Sequence, residues 1–80
     1  MTHTILRLPD VKNRLGLSRS TTYLRVAQGT LTKPVSLGAR AVGWPEHEID
    51  MIVAALIAGK TNDEIRGLVT KLEVARKSAA

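Results

Sequence analysis

Apolar positions in the first thirty residues recur at helical spacing. Val11 and Leu15 stand four apart on one face of a short helix. Pro9 opens that helix, because a proline in the first turn has no intrahelical partner to lose, and Gly16 stops it. Ile5 to Leu8 ahead of it reads as a short strand. A second helix follows Ser18, whose hydroxyl caps it, and ends near Gln28 with Gly29 in the left-handed conformation. At about 100° per residue, Tyr23, Leu24, Val26 and Ala27 share one side of this helix with the small Ser20. Ser18, Thr21, Thr22, Arg25 and Gln28 share the other. The first set is expected in the core and the second at solvent or a ligand, with Arg19 near the boundary.

From Pro34 the period shortens to two. Val35 and Leu37 face one way, Val42 and Trp44 face them, and Gly38-Ala39-Arg40-Ala41 makes the turn of a hairpin with Arg40 at its tip. A two-stranded hairpin is marginal in water, so it must lean on the helices, with Trp44 as anchor. Pro45 opens a third helix whose stripe is Ile49, Ile52, Val53, Leu56 and Ile57, with Glu46 and Glu48 complementing its N-terminal dipole and Gly59 at its end. Thr61-Asn62-Asp63-Glu64 is a capping box for a fourth helix, striped by Ile65, Leu68, Val69 and Leu72. Lys77 to Ala80 are expected to fray.

With 80 residues, these elements fit one domain with a small core. The expected division is a helix-turn-helix plus wing at residues 5–44, then two helices at 45–77. Only Tyr23 and Trp44 are aromatic, so aliphatic side chains carry the burial. Without cysteine there is no disulfide or thiolate metal site, and a reducing cytoplasm fits. No apolar run approaches the roughly 20 residues of a membrane span. His3 and His47 have no ligand cluster around them and read as surface residues. No nucleophile has a spaced histidine and acid, and no glycine loop has phosphate-binding spacing, so neither an enzyme, a cofactor nor a metal is expected.

Charge adds direction to the picture. The net charge is +5, but residues 1–44 hold seven bases against the single acid Asp10, net +6, and residues 45–80 hold five bases against six acids, net −1. The N-terminal half therefore faces a polyanion. A capped helix bearing hydroxyl, amide and guanidinium groups fits the major groove of duplex DNA, and an arginine at a hairpin tip reaches the adjacent backbone or minor groove. The DNA-contacting set on this reading is Ser18, Arg19, Thr21, Thr22, Arg25, Gln28 and Arg40, with Lys33 as a weaker copy of Arg40. The apolar stripe of the fourth helix serves either core packing or a homo-oligomer contact.

Four segments in order, Leu6-Arg7-Leu8-Pro9-Asp10-Val11, Gly16-Leu17-Ser18-Arg19-Ser20-Thr21, Lys33-Pro34-Val35-Ser36-Leu37-Gly38 and Arg40-Ala41-Val42-Gly43-Trp44, resemble the AlpA-type phage regulatory proteins. The resemblance covers about residues 5 to 58. It implies a winged helix-turn-helix like those of MerR proteins and phage excisionases, with a recognition helix at Arg19 to Gln28 and Arg40 at the wing tip. It departs at Thr22, where many relatives carry an aliphatic residue, so that a core position competes with the outward one. The expected fold is mainly α with a small β-hairpin wing, followed by a C-terminal helical hairpin. The expected function is sequence-specific double-stranded DNA binding by a transcription regulator of a prophage or integrative element. Two alternatives stand beside it: an excision factor that bends DNA for an integrase, and a protein-interaction module with a basic surface.

Overall fold

The computed structural model describes residues 4–78, so the expectations for His3 and for Ala79 and Ala80 lie outside the described residues. The elements are β1 (Ile5–Leu6), α1 (Leu8–Leu15), α2 (Arg19–Gln28), β2 (Val35–Gly38), β3 (Ala41–Pro45), α3 (Glu46–Ile57) and α4 (Asn62–Ser78). The architecture is mainly helical with a small antiparallel sheet.

Local chemistry sets most boundaries. Gly16 ends α1 at φ 67°, and Gly29 ends α2 at φ 79°. Ser18 Oγ accepts the Thr21 N–H at 3.2 Å, so the cap forms as its spacing predicts. At α4 the capping box is reciprocal: Thr61 N–H donates to Glu64 Oε1 at 3.0 Å, and Glu64 N–H donates to Thr61 Oγ1 at 3.2 Å. α4 continues through Lys77 and Ser78, where fraying is expected from the sequence. Arg76 and Lys77 complement the C-terminal dipole, and Arg76 is tied across to α3.

The sheet has a third strand that the alternation does not reveal. β1 is only Ile5–Leu6, shorter than the expected Ile5 to Leu8, and pairs with β3 in the register Ile5 to Pro45 and Leu6 to Trp44. The order is β1-β3-β2, and Glu46 N–H extends the pairing to the Thr4 carbonyl at 2.7 Å. β3 thereby gains partners on both edges, which steadies a hairpin that would be marginal alone. Gly43, inside β3, is the point of close approach. A Cβ there would collide with the Ile5 side chain and stand 2.9 Å from the Leu6 carbonyl oxygen. Between β2 and β3 the register jumps from Ser36–Val42 to Gly38–Ala41. This bulge leaves Leu37 without a cross-strand partner and 42% exposed, not facing inward beside Val35 as the alternation predicts.

The core joins Leu6, Val11, Leu31, Trp44, Ile49, Ile52, Ile65, Val69 and Leu72. Trp44 is fully buried, and its indole N–H donates to the Thr32 carbonyl at 2.8 Å, fastening the loop before β2 to the sheet. Of the expected α3 stripe, Ile49 and Ile52 are buried, but Leu56 and Ile57 are exposed. The last turn of α3 leads straight into the connection to α4, which offers its first buried residue only at Ile65.

One ionic contact has no local signal in the sequence. Glu48, assigned by its position to the helix dipole, is fully buried, and both its oxygens accept from Arg76 of α4, at 2.6 and 2.8 Å. Arg76 also donates to the Lys33 carbonyl at 2.7 Å, while Glu73 accepts the Lys33 N–H at 2.9 Å. Removing one partner of such a buried pair costs about 3–5 kcal/mol, because the other charge is left without compensation. Arg66 adds a further tie, donating from Nε to the Gln28 carbonyl at 3.0 Å at the open end of α2.

Candidate nucleic-acid interface

α1 and α2 meet through the turn Gly16-Leu17-Ser18, and the β2–β3 hairpin follows α2, an arrangement compatible with a wing. Ser18, at the N-terminus of α2, is exposed; its hydroxyl lies 2.9 Å from that of Thr21, which is half-buried. Arg19 is exposed on the first turn, Gln28 on the last, and Arg40 at the hairpin tip. Lys33 has its backbone clamped by α4 and its side chain exposed.

One of the expected outward residues turns inward, and a second lies at the boundary. Thr22 is fully buried, and its hydroxyl donates to the Ser18 carbonyl at 2.8 Å, so this chain fills a core position with a threonine whose polar atom is satisfied within the helix. Arg25 is half-buried along its stem, with its Nε buried and without a hydrogen-bond partner, at the edge between the packed side and the open side. The inward stripe of α2 is therefore Thr22 and Val26, with Arg25 at its edge.

The expected buried set is corrected in the same rotation. Leu24 is 54% exposed, Tyr23 38% exposed, and Ser20 and Ala27 also face outward; of that set Val26 packs against the core, and Tyr23 meets it only through Trp44. Centring the apolar arc on Tyr23 and Ala27 places Leu24 inside, whereas the packed side is centred on Thr22 and Val26, four residues apart. The signal that could have found this is the aliphatic residue that the resemblance gives at the Thr22 position. Tyr23 rests on the shoulder of the helix, its ring 6.3 Å from that of Trp44 and tilted by 53°. The outward face is thus Arg19, Ser20, Tyr23, Leu24, Ala27 and Gln28.

The distribution of ion pairs sharpens the electrostatics. Arg14 binds Glu46 and Asp50 of α3 at 2.8 and 2.9 Å, and the hydrogen bond it donates to Glu46 holds its guanidinium above the ordinary value. Lys60, Arg66 and Arg76 pair with Glu64, Asp63 and Glu48. Among the described residues, Arg7, Lys12, Arg19, Arg25, Lys33 and Arg40 of the N-terminal half have no carboxylate partner. No group of three metal-ligating side chains occurs among the described residues, and no helix there is long and apolar enough to cross a membrane. His47 is exposed.

Comparison with known proteins gives this arrangement its class: the regulatory proteins of prophages. Within that class the chain belongs to the family described as prophage CP4-57 regulatory protein (AlpA), which matches residues 4–54. It is also similar to the uncharacterized protein ORF88 of Enterobacteria phage P4, with 42% identity over 55 residues. That stretch is 69% of this chain and 62% of the relative, so the chain spans less than two thirds of the relative's length. No solved structure matches the chain.

Proposed function

We propose that the protein is a transcription regulator that binds double-stranded DNA as a winged helix-turn-helix, with α2 in the major groove and the β2–β3 hairpin on the neighbouring backbone. Residues 5–44 make the contact, and residues 45–77 complete the core beneath it. The observation that carries this reading is the set of cations without carboxylate partners on α1, α2 and the hairpin, in a half of the chain whose only acid is Asp10. An exposed helix face between such cations matches a groove walled by phosphates.

Within the interface Arg19 and Ser18 serve the phosphates at the helix N-terminus, and Gln28 reaches base edges. Arg40 contacts the backbone or minor groove from the hairpin tip, with Lys33 beside it. Thr21 assists through its hydroxyl, and Arg25 reaches the phosphates from the edge of the helix. Thr22 leaves the DNA-contacting set. Self-association through α3 and α4 belongs to the same reading, since Met51, Ile57 and Val74 stand exposed on those helices.

Titration of labelled duplex DNA at several salt concentrations tests the assignment. Arg19→Ala is expected to weaken binding with the melting temperature unchanged, and Arg40→Ala to lower affinity across sequences and flatten the salt dependence by about one unit. Unchanged affinity for both variants would remove the interface from this face.

A further inference from the structure

We propose that the outward face of α2 reads thymine methyl groups in the major groove, through Leu24 and Ala27, so that the preferred duplex carries adjacent A·T pairs beneath the middle of the helix. The inference rests on the DNA-binding reading and deepens it by naming what the helix selects.

Leu24 is 54% exposed and Ala27 is exposed, three residues apart on the side of α2 opposite its packed stripe. An isolated surface leucine needs no explanation. This one stands on the face that α2 leaves open among the described residues, on a helix without a single carboxylate, with Arg19 in the first turn of the same helix and neither Lys12 nor Arg40 paired with an acid of the described residues. Charge selects a polyanion as the occupant of that face. Among polyanions, the B-form duplex has a major groove wide enough for a helix, whereas that of an RNA duplex is deep and narrow. The apolar group that the DNA groove presents is the thymine C5-methyl.

The spacing agrees. Three residues of helix rise ~4.5 Å, close to the ~3.4 Å between successive bases of a strand, so the two aliphatic side chains meet neighbouring positions. Gln28 lies four residues beyond Leu24 on the same exposed face, and its amide has the donor and acceptor that match adenine N7 and N6.

The test begins with the full chain and a randomised duplex pool. In the recovered duplex each thymine is replaced in turn by deoxyuridine, which keeps the base pair and removes only the methyl. The wild-type chain is expected to lose about fourfold in affinity at one or two adjacent positions, the effect of burying one methyl-sized group. Leu24→Ala is expected to melt like the wild type and to bind thymine and deoxyuridine duplexes alike at its position. Equal wild-type binding to every deoxyuridine duplex overturns the methyl reading while leaving DNA binding intact. Methyl dependence that persists in both Leu24→Ala and Ala27→Gly also overturns it, as does a wild-type dimer that Leu24→Ala dissociates, since a second copy would then cover the face. Failure to retain any duplex overturns the underlying DNA-binding reading. The deoxyuridine comparison uses the wild-type chain and stands whatever the variants do.

Discussion

Thr22 decides which way α2 turns. Its hydroxyl shares the Ser18 carbonyl with its own backbone N–H, which reaches that oxygen at 2.9 Å, so the acceptor stays satisfied if the hydroxyl is lost. Thr22→Val is therefore expected to change stability by less than about 1 kcal/mol and to leave DNA affinity unaltered, as thermal melting and duplex titration would register. A drop in affinity at constant stability would return this side chain to the interface. Gly43 is constrained for the opposite reason, by what surrounds it and not by its own dihedrals. Gly43→Ala must push β1 away from β3, and a loss of about 1–3 kcal/mol is expected from chemical denaturation. No periodicity in the sequence marks that glycine, because its necessity comes from Ile5 and Leu6, nearly forty residues earlier.

At the scale of elements, the segments with short-range causes are legible from the chain: the Ser18 cap, the glycine stops after α1 and α2, and the capping box of α4. Each depends on residues within one turn. What the chain does not display is the choice of partner. The β1 to β3 pairing, the bulge that turns Leu37 outward and the inward stripe of α2 are all settled by distant residues, and Leu24 shows that an apolar arc on a helix need not be the side that packs. The capping box also carries a pH dependence. The N–H of Thr61, then its hydroxyl, and then the charge of Lys60 hold the Glu64 carboxyl below its ordinary value. Because the folded value is depressed, this contribution is present above the ordinary carboxylate range and disappears as the pH falls through the folded value. Thermal melts across acid pH should show the advantage of wild type over Glu64→Gln shrinking there, and a constant difference would count against the ionised cap.

For the whole molecule, α4 is the element whose worth is hardest to read in advance. The family match ends at residue 54, before α4 begins, yet α4 supplies Ile65, Val69 and Leu72 to the core. Burying three such side chains contributes roughly 5–9 kcal/mol. That rivals the entire stability expected of a chain this short, about 4–12 kcal/mol. A chain ending at Gly59 is therefore expected to lose cooperative unfolding and dispersed amide resonances; a folded truncation would show that residues 4–59 make a sufficient core. The charge division follows the same layout, since the acids after Pro45 occupy Arg14, Lys60, Arg66 and Arg76 and leave the other described cations of the N-terminal half without a carboxylate partner. The grip of α4 on Lys33 reaches further than stability. Glu73 and Arg76 hold the N–H and the carbonyl of the same residue, two positions before β2, so the later turns of α4 are tied to the root of the hairpin. Whatever displaces the last turns of α4 would thereby displace the root of the hairpin as well.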